Sequence, residues 1–229
     1  MSKFETAAIG SPAPVAKKNV DPIIAERTVF NEDRTHRFTL FRYWGDPDDY
    51  ACGISMNPSG ATEDVIDPTV DGMVRRAKKH WGVGAYYQLN VMSIRGTYSE
   101  DLAEAKTVNL PENDEWIRRI VANAKVIVVS WGNPGQESGR GKEVEKILLE
   151  VCEPSKVFCF GKNINGSPVH PLYQSIDKKL IPYFDDELKK NVILTNCLRV
   201  IRNAWHFYYA LVLVVKVVCG DFGIALLTP

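Results

Sequence analysis

The sequence predicts an α/β fold with a largely parallel sheet. Three observations carry that expectation. Apolar runs at residues 50–56, 85–94, 126–130 and 156–160 alternate with stretches of helical periodicity, the pattern of strand–helix units around a parallel sheet. Residues 126–129 (VIVV) are continuously apolar, as in a strand buried on both faces. Polar groups follow directly on these runs, at the strand C-terminal ends, where parallel sheets open into a ligand-binding crevice.

The elements follow in order. Residues 1–26 are rich in Ala, Ser, Pro and Lys without periodicity, and a flexible arm is expected. Residues 37–43 (RFTLFRY) alternate polar and apolar, as a half-buried strand does. A Gly-Asp-Pro-Asp-Asp turn at 45–49 precedes the run at 50–56, so these two strands are expected to form a hairpin. Asp67-Pro68 has the chemistry of a helix start, with Asp67 as N-cap and Pro68 in the first turn. The helix should extend to about residue 81, with Val70, Met73, Val74 and Ala77 inward, until Gly82 and Gly84 stop it. After the strand at 85–94, residues 112–123 read as a helix with Trp116, Ile117, Ile120 and Val121 inward. Residues 132–141 read as a Gly-rich loop, 142–151 as a helix and 156–160 as the last strand. The α/β domain is therefore assigned to 27–184, and an apolar extension to 185–229.

At 229 residues the chain can bury a substantial core as one domain. Its 28 basic residues balance 28 acidic ones, which excludes a global field drawing it to nucleic acid. The cysteines at 52, 152, 159, 197 and 219 form no C-x-x-C pair and no zinc spacing. Cys52 and Cys159 fall in expected strands, where a free thiol behaves as a small apolar residue. With no apolar h-region at the N-terminus, a reducing, cytoplasmic setting is expected. Residues 205–227 are strongly apolar, but Lys216, Asp221, Gly220 and Gly223 interrupt them. A membrane span is not expected, since a charge at the bilayer centre costs ~2.5–3.5 kcal/mol.

Several residues are candidates for chemistry. Asn57, at the end of a strand and before Pro58, is held extended. It can orient a water or substrate atom, or simply close an Asx-turn. Asn90 ends another apolar strand, and its amide offers a donor and an acceptor side by side, matching a nucleobase edge or serving a structural role. Arg95 can hold a phosphate or carboxylate. His170, in the loop 166–171, is flanked at short range by Pro168 and Pro171 and can stabilise an oxyanion or move a proton. The basic run Arg75, Arg76, Lys78, Lys79 and His80 is a phosphate-facing patch or a solvated helix face. Asp64, Asp67 and Asp71 are potential ligands of a hard cation, but their spacing also suits helix capping.

The order of these segments resembles the uracil-DNA glycosylase superfamily. SMNPSG (55–60) is similar to its first motif, in the Asn-Pro-Gly style of the mismatch-specific branch. YYQLNVMSIRGT (86–97) is similar to the strand carrying the pyrimidine-reading Asn. VIVVSWGNPGQESG (126–139) resembles the later strand ending in Trp-Gly, and SPVHPLY (167–173) the His-Pro motif. The chain also resembles the uncharacterised domain-of-unknown-function family 1643 over about residues 35–184. Asn-Pro-Ser, Asp-Pro-Thr followed by Arg, Asn then Arg, Trp-Gly and His-Pro-Leu-Tyr look like its hallmarks.

The resemblance implies a three-layer α/β/α sandwich with a mainly parallel, four-stranded central sheet, and a glycosylase-like protein that binds a nucleobase or nucleotide, with DNA or a nucleotide as partner. It implies a water-positioning Asn57 and a His170 beside the departing base. It also implies base contacts from Asn90, Ser59 and Trp131, and DNA or phosphate contacts from Arg75, Arg95, Leu172 and Tyr173. Leu172 or Tyr173 would be the wedge that props the duplex as a base is flipped. No metal or other cofactor is implied. The first motif lacks the Asp of the fastest uracil branch and the Tyr that excludes thymine, and His-Pro is followed by Leu-Tyr rather than Ser-Pro. These departures leave the substrate base open. Two other classes stay open beside it: a non-catalytic nucleotide or modified-base binding module, and a metal-dependent hydrolase or nuclease using Asp64, Asp67 and Asp71.

Overall fold

The computed structural model describes residues 20–96 and 109–185. The expected apolar extension and most of the expected N-terminal arm lie outside these residues. The last residues assigned to that arm form a short helix, α1 (Pro22–Arg27), capped by the Asp21 carboxylate on the Ile23 amide. Tyr43 and Asp48 tie it down by hydrogen bonds to Asp21 and Arg27.

A mixed, six-stranded sheet organises the domain: β1 (Leu40–Tyr43), β2 (Tyr50–Ser55), β3 (Ala85–Asn90), β4 (Val126–Val129), β5 (Val157–Cys159) and β6 (Ile181–Pro182). Their spatial order is β1-β3-β2-β4-β5-β6. The four inner strands pair in parallel, and β1 and β6 close the two edges antiparallel. The α/β class stands as the sequence predicts, but the sheet has six strands rather than four, taking in the expected strand at 37–43 and the unexpected β6. β6 gave no signal because it is two residues long and contains a proline, which an edge strand tolerates.

The expected hairpin of β1 with β2 does not form. β1 pairs instead with β3, in the register Leu40↔Gln88 to Tyr43↔Ala85. The turn after β1 closes onto the start of β3: the amides of Trp44 and Gly45 both donate to the Gly84 carbonyl at 2.9 Å. Gly84 permits this approach, because a Cβ there would meet the Asp46 amide nitrogen at 2.5 Å. β2 is thereby left between β3 and β4, buried along its whole length.

Helices cover both faces. On one face lies α2 (Pro68–Arg76), continued by a π-turn at Ala77–Trp81 and stopped by Gly82 in the left-handed region. Its Val70, Met73, Val74 and Ala77 pack with Leu40, Ala51, Tyr86, Val128 and Phe160. On the other face lie α3 (Pro111–Val121) and α5 (Arg140–Val151). Ile117, Ile120, Val121, Val144, Ile147 and Leu148 pack there against Cys52, Ile54, Tyr87, Leu89, Ile127 and Val129. Cys52 and Cys159 are buried free thiols, and burial pushes the Cys52 thiol up.

The stretch expected as a Gly-rich loop instead contains a helix, α4 (Gly132–Glu137). Two of the glycines in the stretch answer to packing rather than to looseness. A Cβ on Gly135 would lie 2.7 Å from the Trp131 Cβ, and one on Gly141 would lie 2.6 Å from the indole nitrogen. Among the described residues no helix is long and apolar enough to cross a membrane.

Candidate functional site

The period of two along β2 and β3 sorts their side chains by face. Tyr50, Cys52 and Ile54, with Tyr87 and Leu89, enter the apolar core under α3 and α5. Ser55, Gln88 and Asn90 fall on the opposite face, at the C-terminal ends of their strands. From β2 the chain moves to β3 on one side, then crosses to β4 on the other. That reversal is a topological switch point, where a crevice opens beyond the strand ends.

A cavity of about 390 Å³ occupies this crevice, in the size range of small-molecule sites. Asn57, Ser59, Asn90, Trp131 and His170, from four remote segments, all line it. Arg37, Ser55, Gln88 and Asp67 line it as well. Beneath it runs a buried polar chain. Tyr86 donates to the Gln88 amide oxygen at 2.7 Å, the Gln88 amide nitrogen to the Ser55 hydroxyl at 3.1 Å, and the Ser55 and Ser130 hydroxyls are 3.1 Å apart. Satisfied networks of this kind fix the positions of their members.

Asn57 is held by its amide nitrogen, which donates to the Gly96 carbonyl at 2.8 Å. Its amide oxygen accepts from no group among the described residues, so an acceptor remains for a water or ligand. Asn90 is 2% exposed, and its amide oxygen accepts from Arg37 Nη2 at 3.3 Å. Its backbone carbonyl accepts from the Asn113 amide at 3.0 Å. Trp131 is fully buried: its indole N–H donates to Gln136 at 3.0 Å and its ring meets Tyr183 edge-on. It therefore forms wall rather than offering a polar handle.

His170 Nδ1 accepts the Leu172 amide at 3.3 Å, which places the proton of the neutral ring on Nε2. Burial lowers its pKa, against a smaller opposing pull from Asp67, so the ring is neutral at pH 7. His36, whose Nδ1 lies 2.8 Å from the Ser93 hydroxyl, is likewise lowered by burial. Both histidines thus titrate, in the folded state, below their ordinary value of 6.5. Below that value the unfolded chain binds protons that the folded chain refuses, so stability is complete above it and is lost as pH falls toward the folded pKa values. Chemical denaturation at pH 7 and at pH 5.5 should therefore give a lower unfolding free energy at pH 5.5, with proton uptake on unfolding. Equal values would contradict the burial of neutral rings.

Residues 59–65 are clamped through their carbonyl oxygens by three arginines. Arg95 reaches the carbonyls of Ser59 (3.5 Å) and Gly60 (3.4 Å), Arg37 that of Ala61 (2.8 Å), and Arg42 those of Thr62 (2.5 Å) and Val65 (3.3 Å). Arg95, expected on phosphate, makes its hydrogen bonds here to backbone oxygens. Arg75 is exposed, pairs with Asp71 at 3.0 Å and does not line the cavity. Leu172, which is 46% exposed, does not line it, and the Tyr173 side chain lies outside what the structure describes.

The rest of the basic run is not one patch. Buried Arg76 crosses to the loop after His170, where Nη2 donates to the carbonyls of Gln174, Pro171 (3.4 Å) and Ser175 (3.3 Å). Its guanidinium lies 5.1 Å from the Phe160 ring centre. Lys79 and His80 both reach Asp177, at 2.6 and 3.0 Å. Three side chains of one helical segment thereby hold the histidine loop.

The three aspartates do not converge as a metal site. Asp64 accepts from Thr62, Asp67 caps Val70 and accepts from Ser59, and Asp71 pairs with Arg75. Among the described residues no group of three or more His, Cys, Asp or Glu is placed to hold a metal ion.

The pattern of the family described as "Protein of unknown function (DUF1643)" matches residues 37–172, more than half of the chain. The chain belongs to this family. The DUF1643 match begins at Arg37 and ends at Leu172, so its span includes every residue that lines the cavity. No curated protein and no solved structure matches the chain.

Arg37 and Gln88 are two polar cavity residues that sequence reasoning missed. Both look like the outward, polar half of an alternating strand. The loop at 59–65 and α2 cover that half, and burial follows from a cover that strand periodicity does not register.

Proposed function

We propose that this protein binds a nucleobase or nucleotide in the cavity at the strand ends and hydrolyses an N-glycosidic bond, in the manner of the uracil-DNA glycosylase superfamily that its motif order resembles. The observation that carries this reading is the convergence of Asn57, Asn90 and a neutral His170 on one cavity. In this reading the layered α/β arrangement serves the same end as in that superfamily, presenting strand-end loops to a flipped base.

The step balances as a hydrolysis. A water oxygen bonds to the sugar C1′, the C1′–N bond breaks, and its electron pair departs with the base. Asn57 is not basic, so it orients the water through its free amide oxygen rather than deprotonating it. Asp67, a carboxylate on the cavity wall, is able to take the proton. The Nε2–H of His170 donates to the oxygen on which charge develops, and a preorganised donor of this kind is worth roughly 10²–10³ in kcat.

Incubation with oligonucleotides carrying uracil and other modified bases, and with nucleosides, should release free base and leave abasic sites that cleave in alkali. His170→Ala should lower kcat by about 10²–10³-fold, and Asn57→Ala by at least about 10²-fold. If no base is released from any of these substrates, hydrolysis is wrong. Tight binding without release would make the protein a binding module instead.

A further inference from the structure

We infer that Arg37 makes one end of the cavity a receptor for an anionic or strongly accepting oxygen, with Asn90 beside it presenting only its amide N–H. The inference rests on the base-binding reading above and specifies the ligand class.

Arg37 is 1% exposed and lines the cavity. Nη1 donates to the Ala61 carbonyl at 2.8 Å and Nη2 to the Asn90 amide oxygen at 3.3 Å. Nε, fully buried, has no partner among the described residues. Nor does any carboxylate among them lie within ion-pairing distance of the guanidinium, which is otherwise the usual company of a buried charge. Asp67 is the acidic group whose field it feels most, yet that carboxylate accepts from Val70 and Ser59 instead. Arg42 and Arg95 add positive charge nearby, both bound to neutral carbonyls. Burial lowers the Arg37 pKa to about 10, which leaves it charged at pH 7.

The contact with Arg37 also decides what Asn90 can read. With its oxygen turned to the guanidinium, its amide nitrogen is the group left for a ligand, and that nitrogen has no partner among the described residues. Together with His170 Nε2–H, the site offers donors from three directions. A ring bearing oxo groups, or a phosphate, suits them. An exocyclic amine aimed at the same place would set donor against donor, the mismatch that costs most in a buried site.

Calorimetric titration tests this with four probes: barbiturate (a ring anion at neutral pH), uracil, cytosine and inorganic phosphate. Barbiturate should bind at least about tenfold tighter than cytosine, the lower range for hydrogen bonds to a charged group. Arg37→Gln should abolish that preference. Asn90→Asp, which gives Arg37 a carboxylate partner, should abolish it too and covers the case in which Arg37→Gln does not fold. Displacement of barbiturate by phosphate would assign the anion to a phosphate group, and failure to displace would assign it to the base. Equal or tighter binding of cytosine, a preference that survives in both variants, or no binding of any probe overturns the inference. The readout is binding, so a protein that shows the preference but releases no base would refute only the hydrolysis.

Discussion

Arg76→Met should lower the free energy of unfolding by about 3 kcal/mol, the scale of removing a buried charged donor and leaving its acceptors unsatisfied. The carbonyls of Pro171, Gln174 and Ser175 share one guanidinium nitrogen, and no aliphatic side chain can replace it. Arg75→Met, one residue earlier, removes only an exposed pair with Asp71 and should stay within about 0.5 kcal/mol of the parent. Urea titration of the two variants makes the comparison, since it changes one helix position at a time. Equal stabilities would show that the loop holds without its clamp. Base affinity should fall in Arg76→Met as well, because His170 begins the segment that Arg76 retains.

Gly53→Ala should cost about 3 kcal/mol, the upper part of the range for overpacking a core. A Cβ at this position would lie 2.1 Å from the Tyr86 hydroxyl and 3.1 Å from Met73 Cε. Tyr86 is fully buried between sheet and helix and cannot swing aside. Its hydroxyl also begins the polar chain to Gln88 and Ser55, so displacement would reach the floor of the cavity. Tyr86→Phe alone should cost about 1 kcal/mol, the net value of a hydrogen bond. The Gly53→Ala/Tyr86→Phe double variant should be more stable than the sum of the single effects predicts, because the colliding atom is gone. Strict additivity would place the strain elsewhere.

Local chemistry accounts for what was legible in the sequence. Asp67-Pro68 specified a helix start through a capping oxygen and a fixed φ, and α2 begins there. The four inner strands followed from apolar runs. Asn57, Ser59, Asn90, Trp131 and His170 were legible as a set because strand C-terminal ends share one rim, a rule of topology rather than of local spacing. The errors share a different cause. The choice of partner for β1 depended on the Gly45–Gly84 approach, between residues 39 apart in sequence. Gly135 and Gly141 are explained by an indole that packs on them, and the burial of Arg37 and Arg76 by carbonyls from distant loops. A guanidinium looks the same in sequence whether it faces solvent, a phosphate or a backbone oxygen.

The carbonyl clamp on residues 59–65 separates the path of that loop from its side chains. Every residue carries the same backbone oxygen, so Arg37, Arg42 and Arg95 grip positions rather than identities. Apart from buried Ala61 and Glu63, which pairs with Arg34, side chains on this segment can be exchanged without loosening the frame that carries them past the cavity. Variants randomised at Ser59, which lines the cavity, should therefore keep the fold far more often than the ligand preference. Ser59 is the position on this loop from which specificity is most readily rewritten, with the three arginines holding the loop's path.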